Sequence, residues 1–114
     1  MAATPAVTVF MRVCNGEKFL SGAIASVLGQ TFRDFELLII NDGSRDRSAE
    51  IVLSFADPRI RLTENASNLG LASTLNRGID LARGRYIAQM DQADVSMPTR
   101  LERQVNFMDD HPEV

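Results

Sequence analysis

One cysteine, one histidine, one tyrosine and no tryptophan stand in 114 residues, and the formal net charge is -3. A single thiol, Cys14, leaves no internal disulfide to form and fits a reducing compartment. With no histidine near it in sequence, Cys14 reads as a small buried residue rather than a nucleophile. The acidic balance excludes a basic face for nucleic acid or an anionic bilayer. No apolar run approaches the roughly 20 residues of a membrane span. Met1-Ala-Ala-Thr-Pro5 lacks the basic and apolar regions of a signal peptide. There is no internal repeat, low-complexity tract or interdomain linker. What remains is one domain, or part of one, spanning residues 1–114. Its 45% hydrophobic and 24% charged content is ordinary for a globular chain, and the expected location is the cytoplasm.

Apolar periodicity then orders the chain. Val7 to Val13 is β-branched and apolar and predicts a buried strand closed by Asn15-Gly16. Phe19, Ala23, Ile24, Val27 and Leu28 recur at helical spacing, with Gly29 as the stop. Phe35 to Ile40 predicts a second buried strand, nearly continuous in apolar residues as parallel strands are. It runs into Asn41-Asp42-Gly43-Ser44, a turn sequence that can also cap a helix. Asp46 to Phe55 predicts a helix broken at Asp57-Pro58. Arg59 to Thr63 alternates polar and apolar as a more exposed edge strand does. Leu71, Leu75, Ile79 and Ala82 form a helical stripe ending at Gly84. Tyr86 to Met90 predicts the fourth strand. A last helix spans 96–108, opened by Ser96 and Pro98 and stopped by His111-Pro112.

The order βαβαβαβα predicts a three-layer α/β sandwich with a mainly parallel sheet. Ligands in such sheets bind beyond the carboxyl ends of the strands, near the point where strand order reverses. Three segments fall at such ends: residues 12–15, 41–44 and 91–94. Carboxylates at the mouth of a strand can hold a divalent cation, and Asp91 and Asp94 are the candidates. In an extended chain the natural clamp pairs positions i and i+2, and beside Asp91 that position holds Ala93.

The chain resembles the amino-terminal half of family 2 glycosyltransferases, inverting enzymes with a GT-A fold, a Rossmann-like nucleotide-binding architecture. The match runs through Asn15-Gly-Glu-Lys-Phe-Leu20 and Ala25-Ser-Val-Leu-Gly-Gln-Thr-Phe-Arg-Asp-Phe-Glu-Leu-Leu-Ile-Ile-Asn-Asp-Gly-Ser44. It continues in Asn68-Leu-Gly-Leu-Ala72, in Leu75 to Asp91, and in Pro98-x-Arg-Leu-x-x-Gln104. The resemblance implies a nucleotide-diphosphate-sugar donor, with a UDP-sugar the leading expectation, and Mn²⁺ or Mg²⁺ on a D-x-D motif. It implies nucleotide contacts from Arg12, Val13, Cys14, Asp42 and Asp91. Asp42 matches the aspartate that bonds the base or ribose, and Asp91 the first aspartate of D-x-D.

Three departures stand beside the match. The family's Pro-x-Tyr-Asn segment is Arg12-Val-Cys14-Asn15 here, so an aromatic partner for the base is missing, and Arg12 is free to reach a phosphate or stack on a base. The family's Asp-Ala-Asp-Asp is Asp91-Gln-Ala-Asp94, which weakens metal binding without removing it, and Asp94 contributes only if the chain turns sharply after Gln92. The acceptor-binding half, with its acidic catalytic base, would follow Val114, so the sugar acceptor stays unassigned. The expectation is a chain inactive alone, cytoplasmic or peripheral to the membrane in the complete protein, and prone to self-association through uncovered surfaces. A second reading is a non-catalytic glycosyltransferase-like binding module. Each site residue also has an ordinary role: Asp42 as a turn or cap, Asp94 as a cap for the last helix, His111 as a cap at its end. A receiver-type phosphoacceptor domain is excluded, because Arg12-Val-Cys14 stands where its acidic cluster belongs.

Overall fold

The strands β1 (Val7–Val13) and β2 (Phe35–Asp42) form the centre of the molecule, and β2 is buried at every position. The computed structural model describes residues 4–111. Between and after these strands come α1 (Leu20–Leu28), α2 (Ser48–Ser54), β3 (Ile60–Asn65), α3 (Leu71–Leu81), β4 (Tyr86–Gln89) and α4 (Arg100–Asp110). The four strands are all parallel in the order β3-β2-β1-β4, with Val7 opposite Phe35 on one side and Tyr86 on the other.

That order explains the layers. The chain steps outward from β1 to β3, and right-handed crossovers put α1 and α2 on one face. It then returns past β1 to β4, so α3 covers the opposite face. Alternate residues of β1 serve each side. Val7, Val9, Met11 and Val13 pack with Leu37, Ile39, Leu20, Ile24, Val52, Leu101 and Val105 in the main core. Phe10 joins Leu38 and Ile40 against Leu75 and Leu81 of α3.

Element boundaries shift where side chains capture the backbone. The last helix begins at Arg100 rather than 96. Gln30 Nε2 donates to the Met97 carbonyl at 2.8 Å, the Thr31 amide donates to the Pro98 carbonyl at 2.8 Å, and Gln30 Oε1 accepts from the Leu101 amide at 3.0 Å. Helix α2 starts at Ser48 because Asp46 Oδ1 accepts from the Ser48 amide and hydroxyl at 2.9 and 2.6 Å, which holds Asp46 in a turn before the N-cap residue Arg47 instead of in the helix. The Asn41–Ser44 turn does not cap it. Helix α3 ends at Leu81, short of Gly84, because the Arg83 amide donates to Glu36 and the Gly84 amide to Thr8. His111 closes α4 through its contact with the Phe107 carbonyl at 2.8 Å. Pro112 and Met1–Ala3 lie outside the described residues.

Glycine at position 84 is a packing requirement. A Cβ there would meet the β1 backbone, with Val7 C at 2.5 Å and Thr8 N also in contact, and neither can move without moving the strand. Gly84→Ala is expected to destabilise the chain by about 1–3 kcal/mol, measured by urea unfolding. An unchanged midpoint would show that the entry to β4 can shift freely.

Candidate nucleotide-diphosphate site at the strand ends

A parallel sheet gathers its carboxyl ends on one rim, and strand order reverses between β1 and β4. The three segments expected at strand ends, 12–15, 41–44 and 91–94, all lie on this rim.

Asp42, at the end of β2, is fully buried. Its Oδ2 accepts from Arg12 Nε at 2.8 Å and the Gly70 amide at 3.0 Å, and its Oδ1 from the Leu69 amide at 2.7 Å and Asn65 Nδ2 at 2.8 Å. Burial pushes the carboxyl pKa up, but the four donors outweigh it and hold the group well below the usual carboxylate range. Asp42 is therefore an ionised hub that fixes loop 66–70 over the end of β2. Gly43 fits that closure. Its φ is +72°, and a Cβ would lie 2.7 Å from the Asn68 amide nitrogen.

Asn65 is a residue that sequence reasoning missed. Besides binding Asp42, it donates to Thr74 Oγ1 at 3.0 Å and accepts from Arg77 Nη1. Nothing separates it in sequence from the other asparagines of a polar loop. Asn15, at φ 51°, joins the loops after β1 and β2: its amide donates to Ser44 Oγ at 2.9 Å and its Oδ1 accepts from the Arg45 amide at 2.8 Å. A polar recess of about 570 Å³ opens here, lined by Asn15, Asn41, Ser44, Glu64, Asn65 and Asn68.

Arg12 is pinned through Nε to Asp42, with 24% of its side chain exposed. Among the described residues its terminal amines have no protein partner, so they can bond an anion at the rim. Val13 is fully buried in the main core and offers a ligand only its backbone. Cys14 is half-buried, and its sulfur lies 3.2 Å from Asn68 Nδ2.

Asp91 and Asp94 are exposed. The chain does turn sharply after Asp91. The Ala93 amide donates to Asp91 Oδ1 at 2.8 Å, and the Asp94 amide to the Asp91 carbonyl at 3.1 Å. Asp94 is thereby returned to the neighbourhood of Asp91, and it does not cap α4, which starts at Arg100. Among the described residues no three His, Cys, Asp or Glu side chains gather around a common point. The donor set is hard and anionic, and few in number. It fits Mg²⁺ or Mn²⁺ completed by phosphate oxygens and water better than an ion enclosed by protein.

A second groove, about 730 Å³, lies between β4 and α4 and is lined by Tyr86, Ala88, Leu101, Val105, Phe107 and Met108 among others. Its floor is apolar and its margin carries Arg85, Gln89, Arg100, Arg103 and Gln104, and it follows the outer edge of the sheet, away from the rim carboxylates.

An open parallel sheet with acidic and polar loops at its switch point defines an α/β domain of the nucleotide-binding kind. The chain belongs to glycosyl transferase family 2, whose model matches residues 8–114. It is 38% identical over 102 residues to WfgD of Escherichia coli, a UDP-Glc:alpha-D-GlcNAc-diphosphoundecaprenol beta-1,3-glucosyltransferase, covering 90% of this chain and 40% of WfgD. In structure it is similar to TarS 1-349 of S. aureus in complex with UDP-GlcNAc, with TM-score 0.87, 23% identity, and coverage of 93% of this chain and 32% of that one. It is also similar to the mannosyltransferase PcManGT from Pyrobaculum calidifontis in complex with GDP-Man and Mn²⁺, with TM-score 0.85, 20% identity, and coverage of 93% and 33%. These likenesses establish the GT-A fold. The chain spans 42% or less of the length of the curated relatives it matches here, 40% in the case of WfgD.

Proposed function

We propose that this chain is the donor-binding part of a glycosyltransferase and takes a nucleoside diphosphate sugar across the strand ends. The observation that carries the reading is that the strand ends bearing the Arg12–Asp42 pair and Asp91 open on one rim of a family 2 chain. UDP-sugar is the leading donor, supported by the UDP-sugar in the name of WfgD and by UDP-GlcNAc in TarS. The GDP-Man and Mn²⁺ of PcManGT support GDP as the alternative nucleotide and a divalent ion as the partner.

In this reading the polar recess beside Asp42 receives the nucleoside, and Asp42 acts through the loop and the arginine it fixes. The free amines of Arg12 meet a phosphate. Asp91, helped by Asp94, would hold the cation. A bound Mg²⁺ or Mn²⁺ would offset charge on the diphosphate as it leaves. The acceptor hydroxyl then displaces the nucleotide with inversion, a step that needs a base. None of the residues described here is assigned that role. The lipid-linked sugar in the name of WfgD supports an envelope-polysaccharide setting, with the complete protein cytoplasmic and peripheral to a membrane. No described helix is long and apolar enough to cross one. Self-association through the open β4 edge belongs to the same proposal.

The changes at Ala93 and Cys14 favour one rival, a non-catalytic binding module. Calorimetric titration with UDP and GDP, with and without Mn²⁺, separates the two. The donor-site reading expects UDP binding that strengthens with Mn²⁺. Binding indifferent to the metal would favour the module, and no binding in any condition would overturn the donor site.

A further inference from the structure

Beyond Phe10, β1 loses its partner on one side. The β4 ladder pairs Val7 to Phe10 with Tyr86 to Gln89, and the Met90 amide donates to the Phe10 carbonyl at 2.9 Å. β1 continues to Val13 with, among the described residues, only β2 beside it. The gap that opens is the switch-point crevice, and one side chain bridges it. Gln92 Oε1 accepts from the Cys14 amide at 2.8 Å, and Gln92 Nε2 donates to the Cys14 carbonyl at 3.1 Å. A carboxamide carries the same donor and acceptor as a peptide group, so Gln92 supplies the ladder rung that β4 no longer provides. Gly16 leaves the room for it, since a Cβ there would lie 2.5 Å from Gln92 Oε1 and 2.8 Å from Cδ.

We infer that Gln92 is a positioning residue that sets the distance between the diphosphate end of the site and the loop after β1. It adjoins Asp91 and anchors the turn that carries Asp91 and Asp94. Those carboxylates otherwise sit on an exposed loop held at its two ends, by Met90 on Phe10 and by Ser96, whose amide donates to Ser26 Oγ at 3.0 Å. Gln92 is the tie between them to the loop after β1. The inference rests on the donor-site reading above, and it adds the element that places the cation-holding loop relative to the nucleoside.

The test uses the 114-residue chain, with Gln92→Ala and with Gln92→Met, which keeps the volume over Gly16 but removes both bonds. Exchange of the Cys14 amide, followed by NMR, reports the clamp itself and is expected to quicken in both variants. Calorimetry with UDP and UMP, each with and without Mn²⁺, reports the positioning. The Mn²⁺-dependent gain in UDP affinity is expected to fall by about tenfold or more, the usual scale for a lost outer partner of a metal ligand. UMP binding should stay within about twofold, because its single phosphate stops short of the Asp91 turn. Equal losses for UDP and UMP would mean a merely structural role and overturn the inference. So would an undiminished Mn²⁺ gain in the variants. A wild-type chain without Mn²⁺-dependent UDP binding would overturn the donor site first and this inference with it, while the exchange data would still show whether the clamp exists.

Discussion

Asp42→Ala is expected to destabilise the chain by about 3–5 kcal/mol, the range for breaking a buried ion pair from one side. The loss arises because the substitution leaves four donors facing an apolar methyl: the Arg12 guanidinium, the Asn65 amide and the Leu69 and Gly70 backbone amides. Asp42→Asn should fare little better, since it turns an NH₂ toward two of them. Urea unfolding measures the loss, and acid separates the ionic part from simple packing. The folded pKa of Asp42 lies below its unfolded value of about 3.9. Its stabilisation is therefore complete above about pH 5 and declines as pH falls through the acid range toward the folded pKa. The gap between wild type and Asp42→Ala should narrow on acidification. A constant gap down to pH 3 would show that charge contributes little to the hub. Glu36, Asp46 and Asp57 are shifted in the same direction, so wild type as a whole should weaken below about pH 4.

Restoring the two altered site residues should have the largest effect on binding. Ala93→Asp places a second carboxylate beside Asp91 on an exposed turn with room for it. Cys14→Tyr supplies the aromatic face missing after β1, worth about 1–3 kcal/mol where a base stacks on it. The double variant is expected to bind UDP in Mn²⁺ on the order of a hundredfold more tightly than wild type, combining about tenfold from the carboxylate with about tenfold from stacking. The tyrosine must displace the Cys14–Asn68 contact, so the single Ala93→Asp variant is the cleaner measure of the metal contribution. Equal affinities in wild type and double variant would show that Asp94 and Arg12 already compensate. A gain from no detectable binding would show that the natural site has lost its metal function.

Much of the fold was legible because the informative signals are local. The unbroken apolar runs of β1 and β2 follow from burial on both sides, whereas the α3 stripe marks the buried face only in part: Leu75 packs on the sheet, Leu71 and Ile79 are exposed, and the buried residues are Thr74 and Gly78. The carboxyl-end position of segments 12–15, 41–44 and 91–94 followed from the alternating order. The start of α4 was illegible because its cause, Gln30, lies 67 residues away in sequence from the Met97 carbonyl it holds. The burial of Asp42 was illegible for the same reason, since its donors come from three separate segments. The role of Gln92 was illegible because its partner is 78 residues distant. Val13 was grouped with the site by the family resemblance, while strand alternation turns its side chain into the core.

The pairing of Val7 with Tyr86 has a kinetic meaning. Every other strand pair joins neighbours in the chain, whereas the β1–β4 seam waits on the closure of the whole segment from Val7 to Tyr86. Chain entropy makes such a contact among the last to form, and the four-residue β4, unpaired on its other side among the described residues, makes it among the first to open. A nucleotide bridging Arg12 and Asp91 would lie across that late seam, so occupancy would be registered as slower opening of β4, and the domain would be most fully folded when it holds its donor.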